Sequence, residues 1–347
     1  MENPSLSTPP SGAFRYNTDS HKMEIYNGDE WWEVESTSQE EQLGGSRGFM
    51  LGGYEQPEGG VVNTIQYVNI SSTGSAEDWG DLVGGIGYGN CCFNNMTRGI
   101  YLDSSPANQY LNLTTKGNTV SLGAASPSHD VNGGANSIRG IFSASDGTNV
   151  MEYFNIASGS NGIDFGDMAT TGITKRGTCG VSPTRHVSGG GYTSPNAAAG
   201  FNVVEYVTIS TMGNAANFGD LTVGRGGCRS TGGNAVRGIF AGGYLGSSPG
   251  GNSNVIDYIT VASLGDSIDF GDMTAVSENP AVMTTKTRAV LAGGNSGNPS
   301  PNNVLAWIDY IEIATTGNSV DFGDYINGDK MGNMGPMSTG HGGLMSG

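Results

Sequence analysis

An internal repeat is the feature of this sequence that most constrains its fold. In six segments a stretch like RGIFAGGY is followed by a stretch like NVIDYITVASLGDSIDFGDM. Counted from the first basic residue, the copies begin at Arg47, Arg98, Arg139, Arg185, Arg237 and Arg288, and His341 opens a shortened seventh copy, HGGLMSG. The spacings of 51, 41, 46, 52, 51 and 53 residues match the ~40–50 residues of repeats that fold into four short strands.

The residue pattern inside each copy predicts strands. RGIFAGG and NVIDYITVA are rich in β-branched and aromatic residues, DFGDM gives a shorter strand, and a small-residue stretch precedes each arginine. Glycine fills 59 of 347 positions, which suits many tight turns between short strands. We label the strands of a copy a to d in chain order. The sequence therefore predicts an all-β, seven-bladed β-propeller.

Loop lengths differ between the two ends of each predicted sheet. The strand-c tyrosine and the corresponding strand-d residue are 12 positions apart in all six copies, but the strand-b arginine and the strand-c tyrosine are 12 to 22 apart. In an antiparallel sheet the c–d turns lie at one end and the b–c loops at the other. Because variable loops of repeat proteins tend to form the binding face, we expect Tyr54, Tyr192, Tyr244 and Trp307 in the b–c loops to bind partners.

The order of these features resembles the Kelch repeat, in which a glycine doublet ends strand b. Doublets occur at Gly52-Gly53, Gly190-Gly191, Gly242-Gly243 and Gly293-Gly294, whereas the second and third copies lack them. The resemblance covers the chain from about residue 37 to the C-terminus. It implies a Kelch-like propeller and says little about function.

The two ends of the chain are predicted to complete one blade together. HGGLMSG supplies inner strands only, and HKMEIYNGDEWWEV near the N-terminus offers the Tyr and Trp of outer strands. Pairing residues 12–36 with residues 341–347 would close the ring and remove an exposed sheet edge. We therefore expect a flexible arm over residues 1–11 and a single propeller domain over residues 12–347.

A second resemblance concerns the N-terminal stretch FRYNTDSHKMEIYNGDEWWEV. It is similar to short segments of bacteriophage tail and fibre proteins, of the form R-Y-N-T followed by Y-N-G and a Trp, and the repeats ending in DFGD resemble those of tail or appendage proteins of phages infecting marine bacteria. The resemblance implies a virion structural protein that is assembled in the host cytoplasm. Its partners would be other virion proteins and a host-surface glycan or protein. The alternative is a carbohydrate-binding or carbohydrate-active propeller.

Charge and hydropathy exclude several partner classes. The net charge of −17 repels phosphate backbones and anionic lipid surfaces. The sequence shows neither an N-terminal signal peptide nor an apolar run of the ~18 residues needed to span a bilayer. We therefore expect no nucleic-acid partner and no membrane insertion.

Two sets of repeated charged residues are candidates for chemistry. Asp81, Asp167, Asp220, Asp272 and Asp324 each follow a glycine, and such a ring of carboxylates could hold a metal. An Asp after Gly in a turn more commonly accepts hydrogen bonds from nearby amides, so the structural role is favoured. The six arginines could form an anion-binding ring. Their recurrence at every strand start instead indicates a structural pair with an acid of the neighbouring blade.

Histidine and cysteine give no catalytic pattern. The histidines at positions 21, 129, 186 and 341 stand far apart, and Cys91, Cys92, Cys179 and Cys228 have neither metal-ligand nor disulfide-framework spacing. The cysteines are expected to be small buried residues. Since no nucleophile or phosphate-binding motif occurs either, we predict a protein that is not an enzyme and holds no metal or cofactor.

Overall fold

The structure is a computed structural model. It describes residues 9–17, 22–33, 45–56, 60–84, 91–102, 108–122, 132–143, 148–159, 161–173, 177–193, 200–228, 230, 232–246, 251–297, 304–326 and 330–344. The chain divides into two compact units, Met1–Gln42 and Leu43–Gly347. Across the described residues the protein is all-β, with antiparallel sheets and a short 3-10 helix at Gly342–Leu344.

The N-terminal unit contains its own small sheet. Its strands are β1 (Phe14–Asn17), β2 (Lys22–Tyr26) and β3 (Trp31–Glu33), and they pair in the order β1-β2-β3. The register sets Phe14 opposite Ile25 and Ile25 opposite Trp32. These residues therefore form a three-stranded meander rather than the outer strands of a blade completed by the C-terminus. Residues 1–8 of the predicted arm lie outside the described residues.

The second unit contains six sheets, which we number along the chain. The first holds β4 (Arg47–Gln56), β5 (Gly60–Asn69) and β6 (Glu77–Asp81); the second β7 (Cys91–Asn94), β8 (Arg98–Leu102), β9 (Gln109–Asn112) and β10 (Val120–Ser121); the third β11 (Asn132–Ala135), β12 (Arg139–Ser143), β13 (Val150–Asn155) and β14 (Ile163–Asp167). The fourth holds β15 (Gly177–Val181), β16 (Arg185–Gly189), β17 (Val203–Thr208) and β18 (Ala216–Asp220); the fifth β19 (Arg237–Ala241), β20 (Val255–Thr260) and β21 (Ile268–Asp272); the sixth β22 (Ala281–Thr284), β23 (Arg288–Ala292), β24 (Ile308–Glu312) and β25 (Val320–Gly323).

The C-terminal strands complete the first sheet. β26 (Lys330–Gly332) and β27 (Gly335–Ser338) both pair antiparallel with β4, so that they take the place of its strand a. The described part of 341–347 does not form the expected strand, because Gly342–Leu344 is a buried 3-10 helix. The strand that lies beside β4 is Gly335–Ser338, and residues 345–347 lie outside the described residues. Because each of the six arginine-headed copies makes one sheet and the shortened copy makes none, the described residues hold six repeat sheets rather than seven.

Apolar side chains fill the spaces between consecutive sheets. Within each strand they alternate between the two faces, and every sheet packs on both neighbours. One hydrophobic cluster joins each consecutive pair from the first sheet to the sixth. A further cluster joins the sixth sheet to the first and includes Met283 of β22 and Met50 of β4. The apolar core is thus divided into six parts in cyclic order.

Hydrogen bonds from the repeated arginines follow the same cyclic order. Each guanidinium donates to a main-chain oxygen of the next sheet at 2.5 to 3.3 Å, the pairs being Arg47 to Leu113, Arg98 to Ala157, Arg139 to Ile209, Arg185 to Val261, Arg237 to Ile313 and Arg288 to Ile70. The last bond runs from the sixth sheet back to the first. Each of these guanidinium groups also lies over an aromatic ring of its own sheet, 4.2 to 5.5 Å from the centroid.

The glycine doublets have a conformational cause. Gly242 and Gly243 have φ angles of 62° and 113°, a region that residues with a Cβ rarely adopt. A Cβ on Gly242 would also collide with the Ser277 carbonyl oxygen. In the first sheet the chain does not end strand b at the doublet, because β4 resumes pairing with β5 through Glu55 after a shift in register.

Candidate functional site

The predicted acid partner of the repeated arginines is mostly replaced by main-chain oxygen. Among the described residues Arg288 is the one of the six with a carboxylate partner, and that partner, Glu312 at 2.7 Å, belongs to the same sheet. A carbonyl exists at every position whatever the side chain, so this contact can repeat while the neighbouring sequence changes. The guanidinium groups therefore link the sheets and lie over aromatic rings, each at its own junction.

The aspartates of the FGD segments act through their main chain. Amides of Asp81, Asp167, Asp220 and Asp272 donate to Asn118, Asn214, Asp266 and Asn318 of the next sheet. Their carbonyls, and that of Asp324, accept amide hydrogen bonds at 2.8 Å from the following sheet. The predicted capture of turn amides by these carboxylates is not observed in the described residues. The side chains instead put charge on the outermost strands, where charge discourages edge-to-edge association.

The b–c loops continue as extended chain beyond the strands. Tyr54 lies in β4 and is paired with Val61 and Gly332. Tyr244 forms isolated bridges with Gly226 and Asn252, and Asn295 forms them with Glu278 and Val304. These pairings extend the sheets at the b–c loop ends of the first, fifth and sixth sheets. We use the name loop surface for these three ends together with the b–c loop of the fourth sheet.

Two of the four predicted aromatic binding residues lie together. The rings of Tyr192 and Tyr244 meet edge to face with centroids 5.9 Å apart, and both side chains are half-buried. A backbone hydrogen bond from Gly200 to Leu245 joins the same two loops. Trp307 belongs elsewhere, because it packs against the core cluster between the fifth and sixth sheets. The four residues therefore do not form one common site.

An asparagine network extends the loop surface across the fifth, sixth and first sheets. Asn252 donates to the carbonyl of Asn295 at 2.5 Å, while Asn279 and Asn295 both donate to the Asn333 side chain, at 3.0 and 3.3 Å. Asn279 and Asn333 have φ angles of 56° and 57°, which asparagine tolerates better than most residues. None of these asparagines was predicted as a site residue from the sequence, although Asn279 and Asn333 each stand just before a strand a.

A buried ion pair lies beneath the loops of the fourth and fifth sheets. Arg225 and Asp257 are 2.9 Å apart and both side chains are fully buried. The guanidinium also donates to the Gly242 carbonyl at 2.7 Å, and the Thr222 hydroxyl donates to Asp257 at 2.7 Å. Asp309 of the sixth sheet is held in the same way by Thr274 and Ser319, both at 2.6 Å. These polar groups anchor the loop that leaves the preceding sheet.

A cavity with a polar lining lies at the other end of the first sheet. This cavity of about 470 Å³, which we call the first-sheet cavity, is lined by Ser46, Arg47, Tyr67, Val68, Asn69, Ser72, Thr73, Gly74, Ser75 and Glu77. Tyr67 donates its hydroxyl hydrogen bond to Glu77 at 2.7 Å, and the Lys116 ammonium lies 3.2 Å from the same carboxylate. The Tyr67 hydrogen bond, followed by that of Lys116, lowers the pKa of Glu77 below its ordinary value.

Two histidines are buried as neutral side chains. Burial lowers the pKa of His186 and of His341 to about 4. His341 shares a hydrogen bond of 2.9 Å with the Asn94 carbonyl and accepts one from the Gly343 amide. His21 and His129 lie outside the described residues. Cys91, Cys92 and Cys228 are buried, and the side chain of Cys179 is outside the described set.

The residues that the structure describes lack two further kinds of site. They contain no group of three or more His, Cys, Asp or Glu side chains placed to hold a metal ion. Nor do they contain a helix long and apolar enough to cross a membrane.

The site and fold define an all-β protein built from repeated antiparallel sheets with one variable end. No protein-family model and no curated protein matches the chain. Its function therefore has to be argued from this geometry.

Proposed function

We propose that residues 43–347 form a closed six-bladed β-propeller. The support comes from the junction between the sixth and first sheets, which repeats the contacts of the other junctions. Gly74 and Ala76 of the first sheet donate amide hydrogen bonds to Phe322 and Asp324 at 3.1 and 2.8 Å. The corresponding amides of Gly317 and Ser319 donate to the fifth sheet at 2.7 and 2.8 Å.

The proposed ring is closed by strand exchange at the first blade. β27, the last strand of the chain, serves as strand a of the sheet whose strands b to d are β4, β5 and β6. Ser338 of β27 accepts a hydrogen bond from Asn94 of the second sheet. The Ser338 amide donates to the Asn94 side chain in return, and β27 packs between β22 and β7. Six blades are proposed in place of the Kelch-like seven because the N-terminal strands have their own sheet.

We propose that this scaffold is a structural protein of a bacteriophage virion, a tail, fibre or appendage component without catalytic activity. The phage setting rests on the resemblance of residues 14–34 to tail and fibre proteins. The binding role rests on the loop surface, where hydrogen bonds join the loops of four adjacent sheets from Tyr192 and Tyr244 to Asn295 and Asn333. Aromatic and amide side chains on a rigid frame are well suited to contact another protein.

The loop surface is the observation that carries this proposal, because its contacts are particular to individual sheets. A contact needed only for folding would recur in every copy, as the arginine bonds do. The asparagine and tyrosine contacts do not recur. They fix the shape of one part of the rim, which is what recognition of one partner requires. The expected partners are other virion proteins and, for an attachment role, a host-surface glycan or protein.

The test is substitution of the loop surface in the phage that encodes this chain. Tyr192→Ser with Tyr244→Ser should reduce incorporation into purified virions, or adsorption to host cells, by about tenfold or more. Leu264→Ser with Met212→Ser is the matched control, since these exposed residues lie in c–d turns. Normal virion content and adsorption of the tyrosine variant, with loss in the control, would assign contact to the opposite end of the sheets.

A further inference from the structure

The first-sheet cavity departs from the repeat at one position. Opposite the strand-c tyrosine, four other sheets carry the apolar residues Val120, Ile163, Ile268 and Val320, each about half exposed, and the fourth sheet carries Ala216. In the first sheet this position is Glu77, opposite Tyr67. Folding evidently works with an apolar residue here, so Glu77 supplies something that the fold alone does not require.

Charges of both signs lie at the first-sheet cavity. Lys116 of the second sheet is not a lining residue, but it lies 3.2 Å from one carboxylate oxygen of Glu77 and 4.8 Å from the Tyr67 ring centroid. Arg47, whose guanidinium uses one nitrogen to bind the Leu113 carbonyl, lines the cavity together with Glu77. The two cationic groups exceed the one carboxylate by a single positive charge. This small local excess stands in a chain of net charge −17, so neither a strong anion nor a strong cation is favoured.

Unused hydrogen-bonding capacity faces this opening. Glu77 accepts both of its described hydrogen bonds on Oε2, so that Oε1 is available as an acceptor. Arg47 keeps its Nε and second terminal nitrogen as donors. Ser72, Thr73 and Ser75 of the c–d turn are exposed and add three side-chain hydroxyl groups. A ligand with several vicinal hydroxyl groups can donate to the carboxylate and accept from the guanidinium at once.

We propose that the first-sheet cavity binds a neutral saccharide unit. Its volume of about 470 Å³ lies within the range of ~300–1,000 Å³ typical of small-molecule sites. Glu77 and Arg47 orient the sugar hydroxyls, and Lys116 with Tyr67 holds the carboxylate in place. The site lies at the c–d turn end of the first sheet. It is therefore separate from the loop surface, and its existence does not depend on the proposed virion role.

The experiment uses the full chain and four named probes: methyl α-glucoside, methyl α-galactoside, methyl α-mannoside and N-acetylglucosamine. Saturation-transfer NMR should show at least one of them bound, with a dissociation constant in the millimolar range by titration. Glu77→Ile should weaken that binding by about tenfold or more. Because this variant restores the residue type of the other sheets, it should fold with an unchanged melting temperature.

The matched control is Val320→Ile, a change at the equivalent position of the sixth sheet, which should leave saccharide binding as it is. Glu77→Gln keeps one acceptor oxygen and should bind with intermediate affinity. Binding of none of the four probes, or equal binding by Glu77→Ile and the unchanged chain, would overturn the proposal. Preference for an anionic sugar such as N-acetylneuraminic acid over all four would overturn it too. The Tyr192→Ser, Tyr244→Ser variant should retain the saccharide, which separates this site from the loop surface.

Discussion

The two ends of the repeated sheets are built on different kinds of contact. At the c–d turn end, each repeated arginine donates to a main-chain oxygen of the adjacent sheet, and so do the turn glycines that bridge sheets. At the b–c loop end, the glycine doublets also donate to main-chain oxygens of the adjacent sheet. Side chains that occur in one place only are added there, such as Asn333 with Asn279 and Arg225 with Asp257. Main-chain contacts tolerate changes of sequence in the neighbour, whereas side-chain contacts specify particular residues.

This difference explains why one end of the sheets can vary. The repeated main-chain contacts hold the angle between sheets at the constant end, so the loops at the other end are free to differ in length. In five sheets the invariant spacing of 12 residues between strand c and strand d places a turn-glycine amide where it donates to the preceding sheet. Where the FGD segment becomes LGA in the second copy, the outer strand shrinks to Val120–Ser121.

The largest effect should come from removing the strand that completes the first sheet. Deleting residues 330–347 takes away β26 and β27 and with them Met334 and Met337, which are fully buried. Since loss of a single buried Met costs about 2–5 kcal/mol, the truncated chain should lose its cooperative melting transition, as followed by circular dichroism. Deleting Met1–Gln42 is the control, and its melting temperature should stay within a few degrees. Equal effects of the two deletions would contradict this division of roles.

A smaller effect is expected from breaking the buried ion pair at the loop end. Arg225→Met leaves Asp257 buried without its cationic partner, and should lower the free energy of unfolding by about 3–5 kcal/mol. Glu312→Gln breaks the partly exposed pair with Arg288 and should cost about 1 kcal/mol or less. Denaturant titration measures both. If the two variants lost the same free energy of unfolding, burial would not make breaking the Arg225–Asp257 pair more costly than breaking an exposed pair.

Acidification should destabilise the fold through its buried histidines. The unfolded chain binds a proton at the ordinary histidine pKa near 6.5, whereas the pKa of His186 and of His341 in the fold is lowered to about 4. Their contribution is therefore complete above pH 6.5 and declines as the pH falls toward 4, by about 3 kcal/mol for each residue. The free energy of unfolding, measured by denaturant titration at each pH, should fall less steeply with decreasing pH in His186→Leu than in the unchanged chain. An equal dependence on pH in the two proteins would mean that His186 is not held neutral.

A single arginine of the constant end should contribute least. Arg237→Met removes the 2.7 Å bond to the Ile313 carbonyl and the contact with the Tyr258 ring, which together should cost about 1–3 kcal/mol. Arg288→Met should cost a similar amount, because it removes the equivalent bond at the junction of the sixth and first sheets. The same denaturant titration compares the two. A negligible cost for Arg288 beside a clear cost for Arg237 would break the equivalence of the six junctions.

The sequence predicted the repeated units well because periodicity reports strand order and the buried face directly. It located the starts of β4, β8, β12, β16, β19 and β23 at the arginines. It misplaced the closing strand because HGGLMSG resembles the start of a copy, while the real strand, Gly335–Ser338, has no arginine before it. Strand pairing between distant segments depends on which edge is free in three dimensions, which local pattern does not encode.

The candidate sites were predicted less well than the fold. Tyr192 and Tyr244 were proposed from loop length, and the structure brings them together, but Trp307 proved to pack on the core. Asp257 and Asp309 were overlooked because a single acid within a β-rich stretch looks like a solvent-facing position. Glu77 could have been found from the sequence alone, since four of the other copies have Val or Ile at this position and the remaining one has Ala. Which departures from a repeat meet in space is known only from the fold.

Hydrogen exchange at the junction of the sixth and first sheets tests the closed ring most directly. The amides of Gly74 and Ala76 donate to Phe322 and Asp324 there, as those of Gly317 and Ser319 donate to Phe270 and Asp272 within the ring. A closed six-bladed ring predicts that both pairs of amides exchange at rates within about tenfold of each other, because equivalent junctions open with similar free energies. Exchange of Gly74 and Ala76 at the rate of an unprotected chain, with Gly317 and Ser319 still protected, would contradict closure.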